Sequence, residues 1–344
     1  MEQKALVITS IASSEHLILK QFANEAALYG IPFIVIGDTK SPTEFNLSGC
    51  DFYSVDRQQS LKWKIAKELP VRHYARKNLG YLIAMSQGAK IIIETDDDNL
   101  PYTDFWKPRS RKVEAHLFIN EGWVNVYKYF SKKHIWPRGF ALEEILKKLP
   151  GLPAKCEISS PIQQGLADEN PDIDAIYRLT LPLPVKFDKH ENVALGEHSW
   201  CPFNSQNTTW FKEAFPLLYL PSSCSFRMTD IWRSFIAERI AWTCGWNVVF
   251  HNSTVLQERN DHNLMIDFKD EVSGYINNYQ ICSELMKLKL KQGEENIYDN
   301  LIACYQLLSE MNLVDQNEVP LVKLWIEAIK NVLLPVNASH LMKL

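Results

Sequence analysis

The chain is short of the features that mark several large protein classes. No stretch of its 344 residues approaches the ~18 consecutive apolar residues of a membrane span. It opens on Met-Glu-Gln-Lys and a short strand-like run, not on the long apolar segment of a signal peptide. Seven cysteines are dispersed and none forms a C-x-x-C pair, which argues against zinc sites built on that spacing. An odd, scattered set of thiols suits a reducing compartment, so the expected location is cytoplasmic. A basic excess is missing too: 37 Lys and Arg face 41 Asp and Glu, a formal net charge of −4. That balance speaks against general binding to nucleic acid or to a membrane surface. Internal repeats, low-complexity tracts and obvious linkers are absent. What remains is an ordinary globular composition, 46% hydrophobic and 23% charged, long enough for one large domain or two smaller ones.

The most informative stretch is Lys90 to Tyr102, in which Ile91, Ile92 and Ile93 lead through Glu94 and Thr95 into Asp96, Asp97 and Asp98. β-Branched side chains fit a pleated, buried strand. Three adjacent carboxylates repel one another and resist desolvation, so burial of apolar surface does not account for them. A solvated acidic turn would accommodate them; a divalent cation would also resolve the conflict, and the position straight after a buried strand favours the cation. On an extended chain Asp96 and Asp98 share one face and Asp97 takes the other. Two oxygen donors on one face suit Mg²⁺ or Mn²⁺, whose other positions go to water and substrate phosphates.

The remaining N-terminal periodicity predicts a βαβ opening. Ala5 to Thr9 reads as a buried strand, Glu15 to Tyr29 as a helix capped by Gly30, and Pro32 to Gly37 as a second strand closed by Asp38. Strand, helix and strand in that order imply a parallel sheet. Phe52 to Val55 reads as a short strand; Leu61 to Leu69 and Ala75 to Gln87 read as helices. Ser10, Asp38 and Asp96 to Asp98 then all fall at carboxyl ends of strands, where open α/β sheets bind ligands.

From Asp104 to Pro153 the periodicity weakens, and Ile158 to Leu181 reads as a polar, loop-rich insertion. Phe203 to Trp210 sets amides and hydroxyls between aromatics, which suits either a polyhydroxylated ligand or a turn-rich connector. Asp230 opens a helical run, Val248 to His251 is strand-like, and a polar run follows from Gln257 to His262. Beyond Met265 leucine, lysine and glutamate take over at helical spacing through 276–290, 297–311 and 320–334. The expected organisation is therefore an α/β domain over residues 1–265 and a helical C-terminal region over 266–344.

Several segments together resemble a known group. They are Arg76-Lys77-Asn78-Leu79-Gly80-Tyr81, Glu94 to Asn99, Trp136-Pro137-Arg138-Gly139, Asp172 to Leu179, Phe203 to Thr208, and Arg227-Met228-Thr229-Asp230-Ile231-Trp232-Arg233. In that order, over about residues 1–265, they resemble the nucleotide-sugar-dependent glycosyltransferases of GT-A fold, and more closely the STELLO proteins. They are similar at greater distance to the UDP-arabinopyranose mutases. The resemblance implies a GT-A-like, Rossmann-type fold: a mainly parallel central sheet with helices on both faces, plus the helical C-terminal appendage. It implies a metal-dependent glycosyltransferase using a UDP- or GDP-linked sugar and a glycan or other hydroxyl acceptor. Asp96 and Asp98 would hold Mn²⁺ or Mg²⁺, with His251 as a third ligand. Ser10, Asp38, Arg76, Asn78 and Asp97 would contact the nucleotide, and Asp230 would serve as general base or acceptor contact. Thr229 stands where the mutases carry the first of two aspartates, and Phe140 and Ala141 depart from their segment after Arg138. A mutase and a non-catalytic scaffold that regulates a partner enzyme are the alternatives, and a homo-oligomer is left open.

Overall fold

The computed structural model describes residues 3–258 and 263–333. The polar run's Arg259 to His262 and Leu334, the expected end of the last helix, lie outside the described residues.

The strands are β1 Lys4–Thr9, β2 Phe33–Ile36, β3 Asp51–Tyr53, β4 Ile91–Thr95, β5 Asn99–Pro101, β6 Lys112–Phe118, β7 Gly122–Trp123, β8 Lys155–Ser159, β9 Ile162–Asp168, β10 Val193–Leu195, β11 Ser199–Trp200, β12 Asn207–Phe211 and β13 Val248–Gln257. Eleven of them form one sheet in the order β3-β2-β1-β4-β12-β9-β13-β10-β6-β8, with β5 paired to β13. The run β3-β2-β1-β4 is parallel throughout, as the βαβ opening requires. Beyond β4 the sheet is mixed: β12 is antiparallel to both β4 and β9, whereas β9 and β13 run parallel. β7 and β11 make a separate two-stranded ribbon.

The helices are α1 Leu17–Leu28, α2 Val55–Gln59, α3 Ile65–Glu68, α4 Lys77–Ser86, α5 Ala175–Thr180, α6 Thr229–Thr243, α7 Leu264–Lys287, α8 Ile297–Glu310 and α9 Glu318–Leu333. Alternation along the central strands gives the sheet two apolar faces. Leu6, Ile8, Phe33, Val35, Ile91 and Ile93 pack with Leu19 and Phe22 of α1. Val7, Ile34, Ile36 and Ile92 face the opposite way and pack with Leu79, Leu82 and Ile83 of α4. Helices thus cover both faces. Gly80 lets α4 lie close on the strands, because a Cβ there would meet Val7 Cγ1 at 2.5 Å and Ile36 Cγ1 at 2.9 Å. The core of the α4 face continues through Phe235 and Ile240 of α6 into Leu285, Leu301, Tyr305 and Trp325 of the C-terminal helices.

The segment expected as a loop-rich insertion contains β9, a central strand. Its polar reading came from Asp168, Glu169, Asp172 and Asp174, at the end of β9 and beyond it, whereas Gln163 and Gln164 within the strand are buried. Gln164 Nε2 donates to the Gly165 and Asn207 carbonyls, and its Oε1 accepts from Asn204 N and Thr208 Oγ1. Among the described residues no helix is long and apolar enough to cross a membrane.

Candidate functional site

The carboxyl ends of β1, β2 and β4 open into a cleft of about 460 Å³. Ser10, Asp38, Arg76, Asp96, Asp97, Asp98 and Asp230 all line it. Seven residues chosen from sequence, drawn from five separate segments, therefore meet in one place.

The triplet does not continue the strand. β4 stops at Thr95, and Asp97 and Asp98 form a tight turn into β5. The alternating-face expectation fails for that reason, and each carboxylate finds its own surroundings. Asp97 accepts from the Ser10 hydroxyl, tying the end of β4 to the end of β1. Asp96 accepts from the Tyr74 hydroxyl at 2.8 Å and pairs with Lys77 Nζ at 3.3 Å. Burial raises the Asp96 carboxyl above its ordinary value, and the Lys77 charge and the Tyr74 bond pull against that. Asp98 accepts from Gln257 Nε2 at 3.1 Å through one oxygen. Its other oxygen, Oδ1, is buried and has no hydrogen-bond partner among the described residues. Burial, reinforced by the charge of Asp96, pushes the Asp98 carboxyl up to about 7.

Asp38 organises the neighbouring loop. Its carboxylate accepts from the backbone N–H groups of Thr39, Arg72 and His73 at 2.6, 2.8 and 3.1 Å. Arg72 sits at φ +57°, in the left-handed region, and the hydrogen bond from its N–H to Asp38 helps to hold it there. Arg76 is 1% exposed; its guanidinium donates to Gln58 Oε1 and the Leu69 carbonyl, while Nη2 has no hydrogen-bond partner among the described residues.

At the far end of the cleft Arg138 joins two carboxylates. Nε and Nη2 donate to Asp172 at 2.8 Å each, and Nη1 and Nη2 donate to Asp230 at 3.0–3.1 Å. Ser205 adds its backbone N–H and hydroxyl to Asp230 Oδ2. Burial alone would raise the Asp230 carboxyl, but the Arg138 charge and hydrogen bonds outweigh it and hold it well below the usual carboxylate range.

Two expected residues stand elsewhere. Asn78 is buried and does not line the cleft; its amide donates to the Leu220 carbonyl and accepts from the Leu220 N–H, stapling a loop to α4. His251 does not line it either. The late strand was expected to end at His251, but β13 runs on for six more residues, and its last, Gln257, is the one that reaches Asp98. His251 is 7% exposed beside Gly165, with Nδ1 2.9 Å from its neighbour's carbonyl, and burial keeps it neutral.

Sequence reading missed Lys77, which has no exposed side-chain surface. Its ammonium donates to Tyr74 Oη, the Thr95 carbonyl, Asp96 Oδ1 and the Ser205 carbonyl. The available signal was a lysine opening an otherwise apolar helix. Behind β4, Glu94 is fully buried between Arg233, Tyr81 and Trp210, which brace the strand that carries the triplet.

Among the described residues no three His, Cys, Asp or Glu side chains gather as a ready metal cluster. The residues whose chemistry fits a divalent cation are Asp96 and Asp98, two carboxylates lining the cleft, one of which carries the orphaned buried oxygen.

Comparison with known proteins finds similarity to one family. A profile of the STELLO glycosyltransferases matches residues 227–340. Two curated Arabidopsis thaliana relatives, "Probable glycosyltransferase STELLO2" and "Probable glycosyltransferase STELLO1", are 28% and 26% identical over 321 residues, 87% of this chain. The chain spans 41% of the length of each. Among solved structures, a mycobacterial protein and the Mycobacterium tuberculosis glucosyl-3-phosphoglycerate synthase align at TM-scores of 0.42 and 0.40. Their identities are 9% and 8%, and the alignments cover 81% of this chain and 75% and 81% of theirs. That likeness is too loose to carry an argument. The chain is thus similar to the STELLO glycosyltransferases, by profile over residues 227–340 and by 26–28% identity over most of its length.

Proposed function

We propose that the cleft binds a nucleoside-diphosphate sugar together with a divalent cation and transfers the sugar to a hydroxyl acceptor. The observation that carries this is Asp98, whose buried Oδ1 has no hydrogen-bond partner among the described residues and whose carboxyl feels the charge of Asp96. A solvated turn would not leave a buried carboxylate oxygen unpaired, because that arrangement is costly. Bound there, Mg²⁺ or Mn²⁺ would neutralise charge on a departing diphosphate.

The protein's own groups do the rest. Lys77 and Tyr74 fix the Asp96 carboxylate in direction, and Ser10 does the same for Asp97. Asp38 sets the 70–74 loop along the nucleotide end. In the transfer, the bond from the sugar's anomeric carbon to the diphosphate oxygen breaks. A bond from that carbon to the acceptor oxygen forms, the acceptor's proton passes to solvent water, and the nucleoside diphosphate departs. Asp230, held ionised by Arg138, is a weak base, so we place it as a positioning residue that fixes Ser205 and Arg138 at the acceptor end.

The test is calorimetric binding of UDP and GDP with and without Mn²⁺, paired with turnover of nucleotide sugars on hydroxyl acceptors. Manganese-dependent binding with transfer supports the proposal. Tight binding without turnover on any acceptor favours a scaffold, and ring-form interconversion without an acceptor favours a mutase.

A further inference from the structure

A second cavity, of about 440 Å³, shares no lining residue with the cleft. Its aromatic wall is Trp123 and Tyr279, whose ring planes lie within 14° of parallel with centroids 6.4 Å apart. Trp123 is braced from the protein side by the edges of Phe140 and Phe235, at 5.3 and 5.7 Å. Tyr279, on α7, is 45% exposed. Among the described residues neither the Trp123 indole N–H nor the Tyr279 hydroxyl enters a hydrogen bond. The remaining wall carries Glu121, Glu144, Lys147 and Lys148, two charges of each sign. Gly122 and Gly151 face open space.

We propose that this cavity is a second binding site and that its ligand is a neutral oligosaccharide. A pyranose ring presents a flat face of C–H groups and a rim of hydroxyls that both donate and accept. Near-parallel aromatic rings match the face, and the unused polar tips with the mixed carboxylates and ammoniums match the rim. Balanced charge speaks against an acidic polymer, because the glutamates would repel it. An apolar peptide would find few aliphatic groups, since Leu149 and Pro150 are the aliphatic lining. The position is informative as well. Phe140 follows Arg138 by two residues and Phe235 follows Asp230 by five, so the segments that wall the cleft also support Trp123. The inference rests on the cavity itself and stands whether or not the cleft transfers sugar.

Calorimetry on the full chain with cellopentaose, xylopentaose and mannopentaose tests it. The expected result is binding of at least one, weakened about tenfold or more by Tyr279→Ala, in keeping with the loss of an aromatic contact and its buried area. Tyr279 is a surface residue, so the variant's melting temperature should stay near that of the parent. Trp123→Phe, which keeps a ring on Phe140 and Phe235 but removes the indole N–H, should weaken the same ligand. Asp98→Asn, which disables the cleft, should leave oligosaccharide affinity unchanged. Binding of none of the three at millimolar concentration would overturn the proposal. So would binding that ignores both aromatic variants, or binding lost in Asp98→Asn and kept in Tyr279→Ala.

Discussion

Arg138 Nη2 lies 3.0 Å from Asp230 Oδ2, with 6% and 9% of the two side chains exposed. The pair spans from the loop after Trp136 to the first turn of α6, and both residues line the cleft. Asp230→Asn leaves Asp172 as the one carboxylate on Arg138, whose Nη1 also donates to the Arg227 carbonyl, and breaking such a buried pair costs about 3 kcal/mol or more. Asparagine still offers Ser205 an acceptor, which keeps the loss near the low end. Thermal unfolding should show a drop of several degrees, with nucleotide binding retained and transfer reduced. An unchanged melting temperature would show that the pair contributes nothing.

The same pair fixes an acid limit. The folded Asp230 carboxyl lies below its unfolded value of about 3.9. Its contribution is therefore fully present above pH ~4 and is lost as pH falls through the folded value. Denaturant titrations from pH 7 to pH 2 should show stability falling in that low range, and Asp230→Asn should flatten the fall.

Asp98 predicts the opposite slope near neutrality. Its carboxyl is raised to about 7, so the folded protein binds a proton there that the unfolded chain releases near pH ~4. The associated stability is present below pH ~4 and is lost as pH rises through about 7. The metal-free protein should be more stable at pH 5.5 than at pH 8 by this contribution, and Asp98→Asn should remove the difference. Mn²⁺ affinity should rise over the same interval, because the cation needs the ionised carboxylate. A flat affinity would contradict the assignment.

Lys77→Met removes the ammonium that Asp96, Tyr74 and two carbonyls share. The lysine is wholly buried but Asp96 is 30% exposed, so the cost should be about 2–3 kcal/mol rather than the full buried-pair value. The melting temperature should fall, and Mn²⁺-dependent nucleotide binding should weaken because Asp96 loses its fixed direction. Normal binding in a folded Lys77→Met protein would remove Lys77 from the site.

Gly139→Ala tests how closely the Arg138 loop is seated. Gly139 has φ +85°, and a Cβ there would collide with Ile231 of α6. Strain and overpacking together should cost about 1–3 kcal/mol and shift Arg138 relative to Asp230. Reduced stability together with reduced transfer is the expected outcome in melting and turnover assays.

The parts of this protein legible in sequence were those whose burial is apolar. Leu6 to Ile8, Ile34 to Ile36 and Ile91 to Ile93 announce parallel strands, and a triplet of carboxylates after the last is hard to mistake. β9 was read into a polar insertion because Asp168, Glu169, Asp172 and Asp174 follow closely, and β12 read as polar because Asn207 and Thr208 are buried with hydrogen bonds made inside the protein. No periodicity reports that kind of burial. Asn78 and His251 look like ligand residues by type, and only their partners reveal structural use. Arg138 was singled out from a motif, but its bridge between Asp172 and Asp230 joins segments 34 and 92 residues away, a relation that spacing does not encode.

The central claim is that Asp96 and Asp98 hold a cation that anchors a nucleoside diphosphate. Asparagine at position 98 keeps the volume, one oxygen and the turn-forming character of aspartate, and loses only the charge. Calorimetric titration of UDP and GDP into wild-type and Asp98→Asn protein at pH 7.5, with and without Mn²⁺, isolates that charge. The account predicts manganese-dependent binding of a nucleotide to the wild type and its loss in a variant that melts at or above the parent temperature. Equal manganese-dependent binding by both proteins would contradict it.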